Sequence, residues 1–134
     1  GTKESELVDE LKPYETPENS YEKNEVNAMS INRFREDITE MENLKHVVVV
    51  GCCTDICIQA CAESMQEYFT EFGRETEIFV PENAVTTFRG EEDDADERSA
   101  EAFASMRRCG VNVVDEYKVE TDIENEWNRL YSIN

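Results

Sequence analysis

Basic residues are scarce in this sequence: thirteen Lys and Arg stand against thirty-two Asp and Glu, a formal net charge of −19. Phosphate backbones and anionic membranes are held by clustered Lys and Arg, and no basic stripe runs along the chain, so neither is expected as a partner. The excess of acid reads as a heavily solvated surface. Long apolar runs are also missing. None approaches the ~20 residues needed to cross a bilayer, and the opening Gly1-Thr2-Lys3-Glu4-Ser5-Glu6 is polar, without the apolar stretch of a signal peptide. The five cysteines are an odd number, and three of them crowd between Cys52 and Cys57. Secreted disulfide scaffolds spread an even set along a smaller chain, so a reducing, cytoplasmic setting is expected. Cys53, Cys57 and Cys61 recur every four residues, but no second Cys-x-x-Cys and no paired histidine accompanies them. The one histidine, His46, opens a strand. No metal site is expected from these cysteines.

What is present suffices for one domain with a core: 134 residues, 39% of them hydrophobic. A short helix is expected over Thr2–Leu11, ended before Pro13. A second, Arg33–Met41, places Phe34, Ile38 and Met41 on one side. His46-Val47-Val48-Val49-Val50 is the clearest strand, β-branched without polar alternation, as in a parallel strand covered on both faces and paired on both edges. After Gly51, a stripe of Ile58, Cys61, Ala62, Met65, Phe69 and Phe72 predicts an amphipathic helix, capped by Gly73. Thr76–Val80 reads as a strand stopped by Pro81. An acidic loop from Arg89 to Asp96 leads to a helix with Ala102, Phe103, Met106 and Cys109 inward, ended by Gly110. Val111–Val114 is the last strand, and a final helix through Trp127 and Tyr131 is expected. Alternating strands and helices with short connections imply an α/β fold with a parallel sheet and right-handed crossovers. The chain opens on a loop and helix with no strong strand ahead of them, so an upstream segment is expected to precede it.

Ligands of open α/β sheets sit beyond the carboxyl ends of the strands. After the valine strand the chain reads Gly51-Cys52-Cys53-Thr54-Asp55-Ile56-Cys57. A cysteine in the first turn of a helix faces unpaired N–H groups and the positive end of the helix dipole. Such a setting can bring a thiol from ~8.5 down to between ~3.5 and ~7.5. The same N–H groups can hold an oxyanion, where losing one donor costs ~10²–10³ in rate. Position alone leaves Cys57 either an activated nucleophile or a small buried hydrophobe. Asp55 reads as an ordinary first-turn residue.

The run Val-Val-Gly-Cys-Cys-Thr-Asp-Ile-Cys-Ile, Val49 to Ile58, resembles the nucleophile motif of the nicotinamidase/isochorismatase-like cysteine hydrolases. Phe79-Val80-Pro81-Glu82-Asn83-Ala84-Val85-Thr86-Thr87-Phe88 is similar to the strand and turn that follow in that family. Lys23-Asn24-Glu25-Val26-Asn27-Ala28-Met29 is similar to its Lys-x-x-Tyr-Ser-Ala-Phe motif, with Val26, Asn27 and Met29 in place of Tyr, Ser and Phe.

The resemblance implies an isochorismatase-like fold with helices on both faces of the sheet, of which residues 1–134 form the C-terminal two-thirds of a single hydrolase domain. It implies an Asp–Lys–Cys triad. Cys57 attacks an amide carbonyl to form a thioester, and Lys23 stabilises the charged groups nearby. A cis peptide between Cys52 and Cys53 turns the N–H of Cys53, with that of Cys57, toward the oxyanion. The family's first strand, its aspartate and its Asp-x-His metal motif have no counterpart here. Asp9 and Asp55 do not replace the aspartate by position, and zinc enters only if an upstream segment carries that motif. The expected activity is hydrolysis of a small amide, nicotinamide first. The alternatives are an isochorismatase-like or N-carbamoyl amidohydrolase activity, or an inactive binding relative. The expected partners are the small-molecule amide and further copies of the chain, as a homo-oligomer.

Overall fold

The computed structural model describes residues 6–89 and 94–119. Three parallel strands form the main sheet in the order β1-β3-β5: His46–Val48 (β1), Glu77–Pro81 (β3) and Asn112–Val114 (β5). Val47 pairs with Ile78, and Val80 with Val113. A smaller parallel pair, Gly51–Cys52 (β2) with Val85–Thr86 (β4), extends beyond the carboxyl ends of β1 and β3. The helices are Asn32–Glu40 (α1), Gln59–Glu71 (α2) and Ala95–Cys109 (α3). The result is the expected α/β fold, with α2 and α3 as the crossovers between parallel strands.

Alternation along β3 divides the sheet's two faces. Ile78 and Val80 are fully buried among α2 and α3, against Met65, Phe69, Phe103 and Met106. Burying a side chain of this kind contributes about 1.5–3 kcal/mol. Phe79 points the other way and stacks with His46 and Tyr117, at centroid distances of 4.7 and 5.2 Å. Helix α2 stops where Gly73 adopts φ +66°, its N–H donating to Thr70 O and that of Arg74 to Phe69 O. This paired closure satisfies carbonyls that the helix end leaves free. Helix α3 carries Asp96 and Glu97 in its first turn and Arg107 and Arg108 in its last, as the helix dipole favours, and Gly110 at φ +97° ends it.

Several expectations are corrected. Residues 6–11 form bends and turns rather than a helix, and Pro13 sits inside a 3₁₀ turn, Lys12–Tyr14. Leu7, Val8 and Leu11 are exposed, and a short segment with no apolar face to bury cannot hold a helix in water. Met41 and Phe72, placed on buried stripes by periodicity, are 51% and 61% exposed, because each caps its helix where the chain turns away. The valine strand is shorter than expected, ending at Val48 with Val50 exposed. Among the described residues it pairs with β3 on one edge, its other edge is open, and its valines are half-buried. Pro81 is the last residue of β3 instead of its stop. The helix expected through Trp127 and Tyr131 lies outside the described residues.

Candidate active site

Between β2 and α2 the backbone closes a π-type turn, Thr54–Ile58, before the regular helix begins. The Cys53 carbonyl accepts from the N–H groups of both Ile56 (3.2 Å) and Ile58 (3.0 Å), the neighbours of Cys57. Turns of this width occur mostly as single insertions in helices, often at functional sites. Thr54 is buried on the inner side of the turn, whereas Cys57 is half-buried. The peptide joining Cys52 to Cys53 is cis.

Lys23 reaches this turn from a segment thirty-four residues away. Two anchors bracket it. On one side the Tyr21 hydroxyl bonds Asp37 of α1, its ring packs edge-on against Phe34 at 5.2 Å, and the Arg33 guanidinium lies 4.1 Å over it. The hydrogen bond to Asp37 raises the Tyr21 hydroxyl above its usual pKa. On the other side Asn27 caps the 3₁₀ turn Ala28–Ser30 through the Met29 N–H and donates to Ser64 Oγ of α2 at 2.6 Å. Met29 then enters the core. Ser64 lies two helical turns beyond Cys57 on the same face, so this contact lays the lysine segment along the thiol turn. Lys23 Nζ stands 3.6 Å from Cys57 Sγ and 3.2 Å from the Glu25 carbonyl.

The opposite side of the turn is held by residues that the sequence did not single out together. Arg98, in the first turns of α3, donates to Asp55 Oδ2 (3.0 Å), Asp94 Oδ1 (2.9 Å) and the Phe88 carbonyl (2.6 Å). The carboxylates of Asp94 and then Asp55 hold the Arg98 proton more firmly than usual. A cation near a helix N-terminus opposes the dipole. That misfit with Asp94 four residues earlier was a signal that Arg98 serves a contact outside its own helix. Asp55 sits in the first turn, as expected, but as an ion-pair partner. Its Oδ1 is buried and has no hydrogen-bond partner among the described residues.

Asp9 faces Lys12 at 3.0 Å on the surface, and among the described residues no carboxylate hydrogen-bonds Cys57 Sγ. Cys61, one turn deeper, is buried beside Met65. Burial pushes its thiol up from 9.0 to about 11, Lys23 lowering it and Cys57 raising it further. Among the described residues no group of three or more His, Cys, Asp and Glu side chains is placed to hold a metal ion. No helix there is long and apolar enough to cross a membrane. A groove of about 1150 Å³ runs along residues 6–24 and includes Lys23 in its lining. It is an open trough on the amino-terminal segment.

A family profile described as "Isochorismatase domain" matches residues 1–116. Over 92 residues the chain is 30% identical to nicotinamidase 3 of Arabidopsis thaliana, an alignment covering 68% of this chain and 43% of that protein. The chain thus spans less than half the length of this curated relative. No solved structure matches it significantly.

Proposed function

The chain belongs to the isochorismatase family, and from that premise we propose that it serves a cysteine-dependent hydrolase of a small amide, with nicotinamide as the first substrate to test. One observation carries the reading: Lys23 Nζ lies 3.6 Å from Cys57 Sγ in the first helical turn after the sheet. The sulfur attacks the amide carbonyl carbon, and the oxygen takes up negative charge facing the N–H groups of Cys53 and Cys57. Collapse of that adduct breaks the C–N bond, releases ammonia with the proton drawn from the thiol, and leaves an acyl thioester. Water then cleaves the thioester to the carboxylic acid and returns the proton to sulfur. Lys23 places positive charge beside the atom that carries the negative charge. The base that carries the proton is a requirement of this chemistry, and the family resemblance assigns it to an aspartate on the family's first strand, whose motif has no sequence counterpart here. The reading also favours a carbon–nitrogen bond over a vinyl ether, since a thiol nucleophile suits acyl transfer. The similarity to a nicotinamidase supports nicotinamide within that class.

The test is ammonia release from nicotinamide by the wild type and by Cys57→Ala. The variant is expected to lose measurable turnover while its circular dichroism and melting temperature stay close to wild type, because alanine fits a half-buried helical position. Turnover that survives in a folded Cys57→Ala protein removes Cys57 from the mechanism.

A further inference from the structure

We propose that Arg98 is a positioning residue for the thiol turn, a three-way clamp that fixes where Cys57 presents its sulfur. Its guanidinium donates through Nε, Nη1 and Nη2 to three acceptors in three separate segments: Asp94 before α3, Asp55 in the turn, and the Phe88 carbonyl in the strand exit after β4. Only a planar fork of donors spans such a set; an ammonium is a point charge that satisfies part of it. Asp55 stands two residues before Cys57, with 16% of its side-chain surface exposed and its second oxygen buried without a partner among the described residues. Taking Arg98 away leaves a largely buried carboxylate with no counter-charge. A group in that state is relieved by rotating toward water. Rotation of Asp55 drags the π-type turn, and with it Cys57, away from Lys23. The buried Thr54 and Ile58 that flank the turn confine the movement to these few residues.

The clamp's catalytic consequence rests on the functional reading above, but its structural consequence does not, and the experiment separates them. Hydrogen exchange is followed by mass spectrometry over residues 53–58 and over α2 in the full chain, for Arg98→Met and Arg98→Lys. Turnover of nicotinamide is measured on the same samples. Exchange in 53–58 is expected to rise about tenfold or more in Arg98→Met, to an intermediate degree in Arg98→Lys, and to stay at wild-type level in the buried part of α2. Per folded molecule, kcat falls in the same order while KM holds, as for a group acting on the position of the nucleophile. If Arg98→Met does not fold, Arg98→Lys alone carries the comparison, because it keeps the charge and loses the fork. The local rise in exchange combined with a fully active Cys57→Ala protein would retain the clamp and discard Cys57 as nucleophile. Unchanged exchange over 53–58, or a rise equal to that of α2, overturns the clamp.

Discussion

Residues 54–58 and residues 59–71 form one continuous helical run, yet they solve different problems. The first five close a wide turn whose mouth is half-exposed, held from outside by Lys23 and by Arg98. The next thirteen form a regular helix whose inner face, Cys61, Ala62, Met65 and Phe69, is buried in the core. Cys57 and Cys61 make the contrast sharp, since they are the same residue type one turn apart. One has an ammonium beside it, and the other has a thioether at 3.9 Å and a pKa raised to about 11. In the proposed mechanism, what separates the nucleophilic thiol from the packing thiol is its place along the run. The turn contributes charge and orientation, and the helix contributes stability.

Two substitutions separate those contributions. Lys23→Met has the larger expected effect: a loss of about 10²–10³ in kcat/KM, as for removal of one preorganised electrostatic group. The melting temperature should hardly move, because Lys23 is exposed and its contacts are few. Steady-state kinetics beside thermal unfolding checks this, and a large drop in melting temperature would show that the turn and the helix are not separable. Cys61 gives the smaller effect, on stability alone. In the folded state its pKa lies at about 11 against 9.0 in the reference state. The folded protein therefore holds this proton to higher pH than the unfolded chain does. Stability from this group is full below pH 9 and is lost as pH rises toward 11, by about 2 kcal/mol at pH 11. Denaturant unfolding at pH 8 and pH 11 should show Cys61→Ala losing less stability between those conditions than wild type, by about that amount. Equal losses would mean that Cys61 is not buried as described.

The strong periodic segments could be read directly from the sequence. Met65, Phe69, Phe103 and Met106 announce two buried helix faces, and Gly73 and Gly110 mark their ends, because these are local patterns enforced by the helix repeat. The valine strand was harder to place. Its apolar sequence is suited to a fully covered position, but β3 takes the central place, and β1 stays half-buried at an edge of the described sheet. At the site, Cys57 stood out from its place after a strand, and Lys23 was found through motif resemblance alone, since a loop lysine carries no periodic signal. The link from Asp55 to Arg98 joins residues forty-three positions apart. Nothing in either local segment specifies that pairing, apart from a cation at the wrong end of a helix dipole.

In the proposed mechanism Cys57 becomes acylated during amide hydrolysis. Rapid acid quenching of the protein with nicotinamide, followed by peptide mass mapping, tests it most directly. A mass increase of one nicotinoyl group is expected on the peptide containing Cys57, absent from Cys57→Ala, with Cys61 unmodified. Ammonia release with no acyl group on Cys57 at any quench time, or with the acyl group on another residue, would contradict it.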